Sequence, residues 1–254
     1  MPMSKAKFIA GLVTAAALAT AGPAAANVLP VATWPLNEGN GTAAHDFSFH
    51  GNTGTLQGSG VSWSAGRFGR SLAFDGTSGD VNVPNDSTLE PANQITVSAW
   101  VKANGSPGNF DYIVDKGATG CLTASYGLYT GPAGGLIFYV SNDGQIGIHS
   151  PDAGTGVWDN KWHSVIGTYD GSSVKLYVDG IQVGSGTPDT GNIAYGLSTS
   201  NDLQIGAYEG CSLPFNGSID QVRVFNRALG AQEIRSTVKL SQLLPPIIPE
   251  DLVL

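Results

Sequence analysis

Along most of the chain, short runs of alternating apolar and polar side chains are separated by glycine-rich turns, and that rhythm admits few architectures. In ITVSAWVKA, Ile95, Val97, Ala99 and Val101 share one parity, while Thr96, Ser98, Trp100 and Lys102 share the other. A period of two is that of a strand with one buried face. The same pattern recurs at SLAF around Leu72, DYIVDK around Ile113, ASYGLYT around Leu128, GLIFYVS around Phe138 and HSVIGTY around Val165. It recurs again in SVKLYVDGIQV, in NDLQIGAY around Ile205 and in SIDQVRVF around Val222. Many short, regularly spaced strands predict an all-β fold, a two-sheet antiparallel sandwich or jelly roll. Only RALGAQEIRS, near Leu229, suggests a helix, and a short one.

The turns account for many of the acidic residues. Six of the twenty are followed directly by glycine: Glu38, Asp75, Asp143, Asp170, Asp179 and Glu209. Asp179-Gly180 stands between VKLYV and IQV, a strong hairpin signal because both turn positions tolerate positive φ. Asp170-Gly171 separates VIGTY from VKLYV in the same way. Asp220 is different, because it shares strand parity with Val222 and Val224 and so points to an apolar face. A carboxylate buried there needs an exposed strand end, a cation or a metal. Asp46, in the oxygen-rich loop NEGNGTAAHDFSFHGN, is explained by an Asx turn unless it too is a ligand.

The chain opens with Lys5 and Lys7, an apolar run from Phe8 to Gly22, and Ala24-Ala25-Ala26, the pattern of a secretory signal over residues 1–26. Residues 27–236 are then expected to form one domain, with 237–254 a proline-containing tail or linker stub, and the product to be secreted. Cys121 and Cys211, each in a glycine-rich turn, fit a loop-stapling disulfide; a redox pair would show Cys-x-x-Cys. The formal net charge is −8 with scattered Lys and Arg, which argues against nucleic acid and anionic membrane as partners.

The run from Ala32 to about Ser236 resembles the laminin-G-like, concanavalin A-like jelly-roll domains of secreted bacterial proteins. The words that carry the resemblance are ATWPLNEGNGTAAHD, GRFGRSLAFDG, ITVSAWVKA, IVDKG, WDNKWHSVIGTYDGSSVKLYVDG, LQIGAY and FNGSIDQVRVFNRALGAQEI. The resemblance implies a structural calcium held by Asp46 and Asp220, with Asp75 and the carbonyls around Asn40 and Gly41 as weaker ligands. Oxygen donors suit calcium, and the four dispersed histidines offer no zinc spacing.

Some enzymes share this architecture, so catalysis has to be tested. Asp111 and Asp115 point the same way but stand roughly 13 Å apart on a strand, too far for paired carboxylates in glycoside hydrolysis. No Gly-x-Ser-x-Gly elbow is present. Asp115 beside Lys116 reads as a surface ion pair, and His163 at a strand start as a half-buried structural histidine. The expected function is a non-catalytic module binding carbohydrate. A protein-adhesion module of laminin-G type is the alternative, followed by an enzyme like a glycoside hydrolase or polysaccharide lyase. A sugar needs an aromatic platform and a few polar groups, for which Tyr129, Tyr139, Asn142, Asp143 and Trp158 are the candidates.

Overall fold

The structure, a computed structural model, describes residues 29–117, 123–208 and 211–243, with only the backbone of 240–243. The expected leader, Cys121 and the residues after Leu243 lie outside the described residues. In chain order the first strands are β1 Ala32–Trp34, β2 Ala43–Ala44, β3 Gly54–Gln57, β4 Val61–Ala65, β5 Arg70–Asp75 and β6 Asp80–Val83. Next come β7 Ile95–Lys102, β8 Tyr112–Lys116, β9 Tyr126–Thr130, β10 Leu136–Ser141, β11 Gly147–His149 and β12 His163–Tyr169. The last are β13 Ser173–Val178, β14 Ile181–Gln182, β15 Thr187–Pro188, β16 Leu203–Ile205, β17 Asn216–Phe225 and the helix α1 Ala231–Leu243.

These strands form two antiparallel sheets. The first runs β14-β13-β12-β7-β17-β5-β4, with β1 on β17 and β15 on β13; the second runs β11-β10-β9-β8-β16-β6-β3-β2. Between them lies the main core, which includes Trp34, Leu72, Val97, Val101, Phe138, Leu176, Phe215 and Val222. The sheets pack closely at Gly167 of β12, where a Cβ would stand 2.0 Å from the Phe138 ring. Alternation thus has its expected consequence, two faces interdigitating across a sandwich.

The hairpin signal holds at Asp179-Gly180, which joins β13 to β14 with φ of +51° and +81°. The Asp170-Gly171 turn joins β12 to β13, with Asp170 Oδ1 accepting the amides of Ser172 and Ser173. β7 departs from the expectation of one buried face, since every residue from Ile95 to Val101 is buried. Its other face is covered in two places. Trp100 is packed edge-on against Phe68 at 5.4 Å, with the Arg67 guanidinium over both rings. Thr96 Oγ1 donates to the Arg227 carbonyl and accepts the Leu229 amide, fixing the segment that leads into α1.

α1 is longer than the sequence suggested and continues past residue 236 into the expected tail. Ile234 and Val238, one helical turn apart, pack with Leu229 on Ile166 and Tyr177 of the first sheet. Glu233 accepts the Gly230 amide at the helix start and pairs with both terminal nitrogens of Arg227. Asp115 and Lys116 are no surface pair, for both are fully buried. Lys116 Nζ donates to Asn85 Oδ1 and the Asn201 carbonyl and lies 3.7 Å from Glu90. A buried ammonium is tolerated only with such partners, and these come from loops distant in sequence.

Candidate functional site

The outer face of the second sheet carries a cluster of aromatic rings. Antiparallel register sets Tyr112 of β8 opposite Tyr129 of β9, and Tyr129 opposite Ile137 of β10. Tyr139 of β10 faces Gly127, where a Cβ would lie 2.5 Å from its ring, so only glycine lets the tyrosine lie across β9. Tyr112 stacks on Tyr129 at 4.8 Å and sits 4.3 Å from Tyr208, while Tyr129 and Tyr139 meet edge to face at 5.2 Å. The Tyr112 and Tyr139 hydroxyls are 3.3 Å apart, and Tyr139 also accepts the Ala124 amide. Burial pushes the Tyr129 phenol up to about 12 and raises Tyr112 and Tyr139 further, so all three are neutral.

Two rings extend this cluster to solvent. Phe110, 44% exposed at positive φ, stacks beside Tyr129 at 6.5 Å and 24°. His149 at the end of β11 is exposed and lies 6.1 Å from Tyr129 and 5.5 Å from Tyr139. A rigid, buried floor with an exposed aromatic rim can take the apolar face of a ring-shaped ligand at little cost in ordering. Phe110 is the residue that sequence reasoning passed over; an aromatic in the glycine-flanked loop SPGNFD, just ahead of a strand, was the available signal.

Of the five expected ligand-binding residues, the structure brings together Tyr129 and Tyr139, largely buried in this cluster. Trp158 is a correction: it is 3% exposed in the main core, packs on Phe215 and spends its Nε1 proton on the Gly134 carbonyl. No ring face is left for a ligand. Asp143 Oδ1 accepts the amides of Gln145 and Ile146 and the Ser141 hydroxyl in the turn between β10 and β11. Asn142 Nδ2 donates to Asp189 and to the Thr190 carbonyl, tying that turn to a neighbouring loop.

The three expected calcium ligands do not form one donor set. Asp46 Oδ1 accepts the amides of Thr33 and Ser48, and Oδ2 accepts the Asn52 amide and the Ser48 hydroxyl. Burial alone would raise its pKa, but these donors outweigh it and hold it below the usual range. That is the Asx-type loop, with both oxygens occupied. Asp75 Oδ1 likewise accepts the amides of Thr77 and Ser78. Among the described residues no three His, Cys, Asp or Glu side chains gather as metal ligands.

Asp220 is fully buried, but not on the face that parity implied. Gln221 has φ +52° and the register shifts between Asp220 and Arg223, so Ile219 and Val222 both enter the main core. Asp220 therefore turns toward the 66–70 loop, where Oδ2 accepts the Phe68 amide. Oδ1 is buried without a hydrogen-bond partner, and burial pushes the carboxyl up to about 7. Asp46 has both oxygens occupied; of the three, Asp220 is the one with a buried oxygen that lacks a hydrogen-bond partner.

His163 stands half-buried at the start of β12, between two carboxylates. Its Nδ1 lies 2.7 Å from Asp179 Oδ2 and its Nε2 3.0 Å from Asp159 Oδ1. Burial by itself would lower its pKa, but bonds to the two carboxylates leave it raised.

A family model described as the concanavalin A-like lectin/glucanases superfamily matches residues 75–235. Domain 4 of AbnA, a GH43 extracellular arabinanase from Geobacillus stearothermophilus solved with arabinotriose, is 18% identical, with a TM-score of 0.61. That match covers 82% of this chain and 98% of the other. Trypanosoma rangeli sialidase in complex with sialic acid is 18% identical over 84% of this chain and 33% of its own, with a TM-score of 0.56. The binding domain of botulinum neurotoxin DC in complex with rat synaptotagmin II is 14% identical over 84% of this chain and 52% of its own, with a TM-score of 0.61. Identities this low establish the fold alone. No curated protein sequence matches the chain.

Proposed function

Because the chain belongs to the concanavalin A-like lectin/glucanases superfamily, we propose that it is a secreted, non-catalytic module that binds carbohydrate on the outer face of its second sheet. The observation that carries this reading is the exposed pair Phe110 and His149, seated on the buried tyrosine floor. Phe110, stacked on Tyr129, offers a flat apolar surface to the C–H face of a sugar, and the nitrogens of the tilted His149 can serve its hydroxyls. The arabinanase domain, which this chain matches almost end to end, was solved with a bound oligosaccharide, and this lends support. The acids support it too: Asp46, Asp75, Asp143 and Asp170 brace turns, and Asp115 and Asp220 are fully buried. The sialidase likeness lies within a much longer chain and carries no activity over to this one.

A protein ligand is the second reading, favoured by Phe49 and Phe47, 95% and 54% exposed in one loop. Apolar side chains presented together this way suit a protein surface. The leader, the Cys121–Cys211 bridge and a structural calcium belong to the proposal. The calcium would be held by Asp220 with main-chain carbonyls, and it would supply charge neutralisation and no reaction.

A glycan array probed with and without EDTA tests the reading. Phe110→Ala and His149→Ala are each expected to weaken a saturable glycan signal about tenfold, with the fold unchanged by circular dichroism. Silence across the array would remove the carbohydrate reading and leave the protein ligand ahead.

A further inference from the structure

A cavity lies at the rim of the first sheet. It has a volume of about 230 Å³ and is bounded by the end of β7, the loop that follows it, the turn at Asn160 and the start of β17. Its polar wall is made by Lys102, Asn104, Ser106, Asn160, Asn216 and Ser218. No acidic residue lines it, although the whole chain carries a net charge of −8. The nearest carboxylate in sequence, Asp159, is already engaged by Lys161 at 2.6 Å and His163 at 3.0 Å.

The backbone of this wall is tied down, whereas most of its side-chain heads are not. The Gly105 amide donates to the Trp158 carbonyl and the Asn160 amide to that of Ala103. Ser106 Oγ donates to the Gly134 carbonyl, and Ser218 is held in register opposite Lys102. Yet among the described residues the carboxamides of Asn104, Asn160 and Asn216 make no hydrogen bond, and Lys102 makes no ion pair. Asparagine in a turn usually bonds its own backbone. Three exposed asparagines that line one cavity together with a lysine, on a backbone held by these bonds, offer donors and acceptors to a ligand arriving from solvent.

The chemistry of that set specifies its ligand. Carboxamides and a serine hydroxyl match the mixed donor and acceptor character of ring hydroxyls, and a single lysine matches one negative charge. A phosphate or sulfate carries more acceptor oxygens and is better met by several cations or an arginine fork. The volume suits one ring and not a run of them. We propose that this cavity binds a carboxylated sugar, a uronic acid residue, with Lys102 on the carboxylate and the three asparagines on the hydroxyls. The site adds a charged subsite to the carbohydrate-binding reading above and rests on that reading for its ligand class.

The test is titration of the full chain with galacturonic and glucuronic acids, with their neutral parents galactose and glucose, and with acetate, read by the side-chain amide resonances of an isotope-labelled sample. Either uronic acid should shift the Asn104, Asn160 and Asn216 amide signals saturably, at least fivefold more tightly than its neutral parent or acetate. Lys102→Met should remove that preference while Lys102→Arg keeps most of it, and Phe110→Ala should leave it unchanged. Uronic acids bound no more tightly than their parents, or a preference indifferent to Lys102→Met, would overturn the proposal. If the array signal depends on Phe110 and no uronic acid binds, this site fails alone. If uronic acids bind through Lys102 while Phe110→Ala changes nothing on the array, the aromatic rim fails and this site stands.

Discussion

Asp179 shows how much one carboxylate does here beyond shaping its turn. Its Oδ1 accepts the Ser164 amide and its Oδ2 holds His163, whose other nitrogen faces Asp159. The imidazole pKa is raised in the folded protein, so the stabilisation is fully present below the ordinary histidine value of about 6.5 and is lost as pH rises through the folded value. His163→Gln should therefore lower the melting temperature by on the order of 2–4 °C at pH 5.5, with the difference from wild type closing by pH 9. A difference independent of pH would refute the charged clamp. That Asp179 makes a hairpin turn was legible in the dipeptide; that it faces a histidine sixteen positions earlier was not, because the contact depends on how β12 lies beside β13. Asp220 is the opposite case. Parity set it on the face of Val222 and Val224, whereas the structure sets it on the other, since one positive φ at Gln221 inverts the pattern and glutamine gives no local sign of it.

At the scale of elements, α1 covers the outer face of the first sheet at Ile166 and Tyr177. Ile234 is fully buried against Ile166, Tyr177 and Leu229. Ile234→Ala is expected to cost about 2–4 kcal/mol, read as a shift in the urea midpoint with an unchanged slope. A loss below about 1 kcal/mol would mean that the helix is only loosely docked. The strands were readable because short apolar and β-branched runs are punctuated by glycine-rich turns. The length of the helix was less so: Val238 continues the spacing set by Ile234, but the prolines that follow mask it. The full burial of β7 also escaped the sequence, because its second face is covered by the 66–70 loop and the segment before α1, both remote along the chain.

For the molecule as a whole, the proposed calcium makes its own demand. Asp220, buried with one oxygen unpartnered, should weigh against folding when it is ionised and bare. Millimolar calcium at pH 8 is expected to raise the melting temperature of the wild type by several degrees relative to EDTA and to leave Asp220→Asn unmoved. Equal responses in the two proteins would exclude a cation at this residue. The pairing of β1 with β17 has a further consequence. Ala32 lies directly across from Val224, so β1 and β17, the first and last strands along the described chain, are hydrogen-bonded neighbours. That sheet can close only once both strands exist, so its assembly waits on a pairing that spans almost the whole sequence.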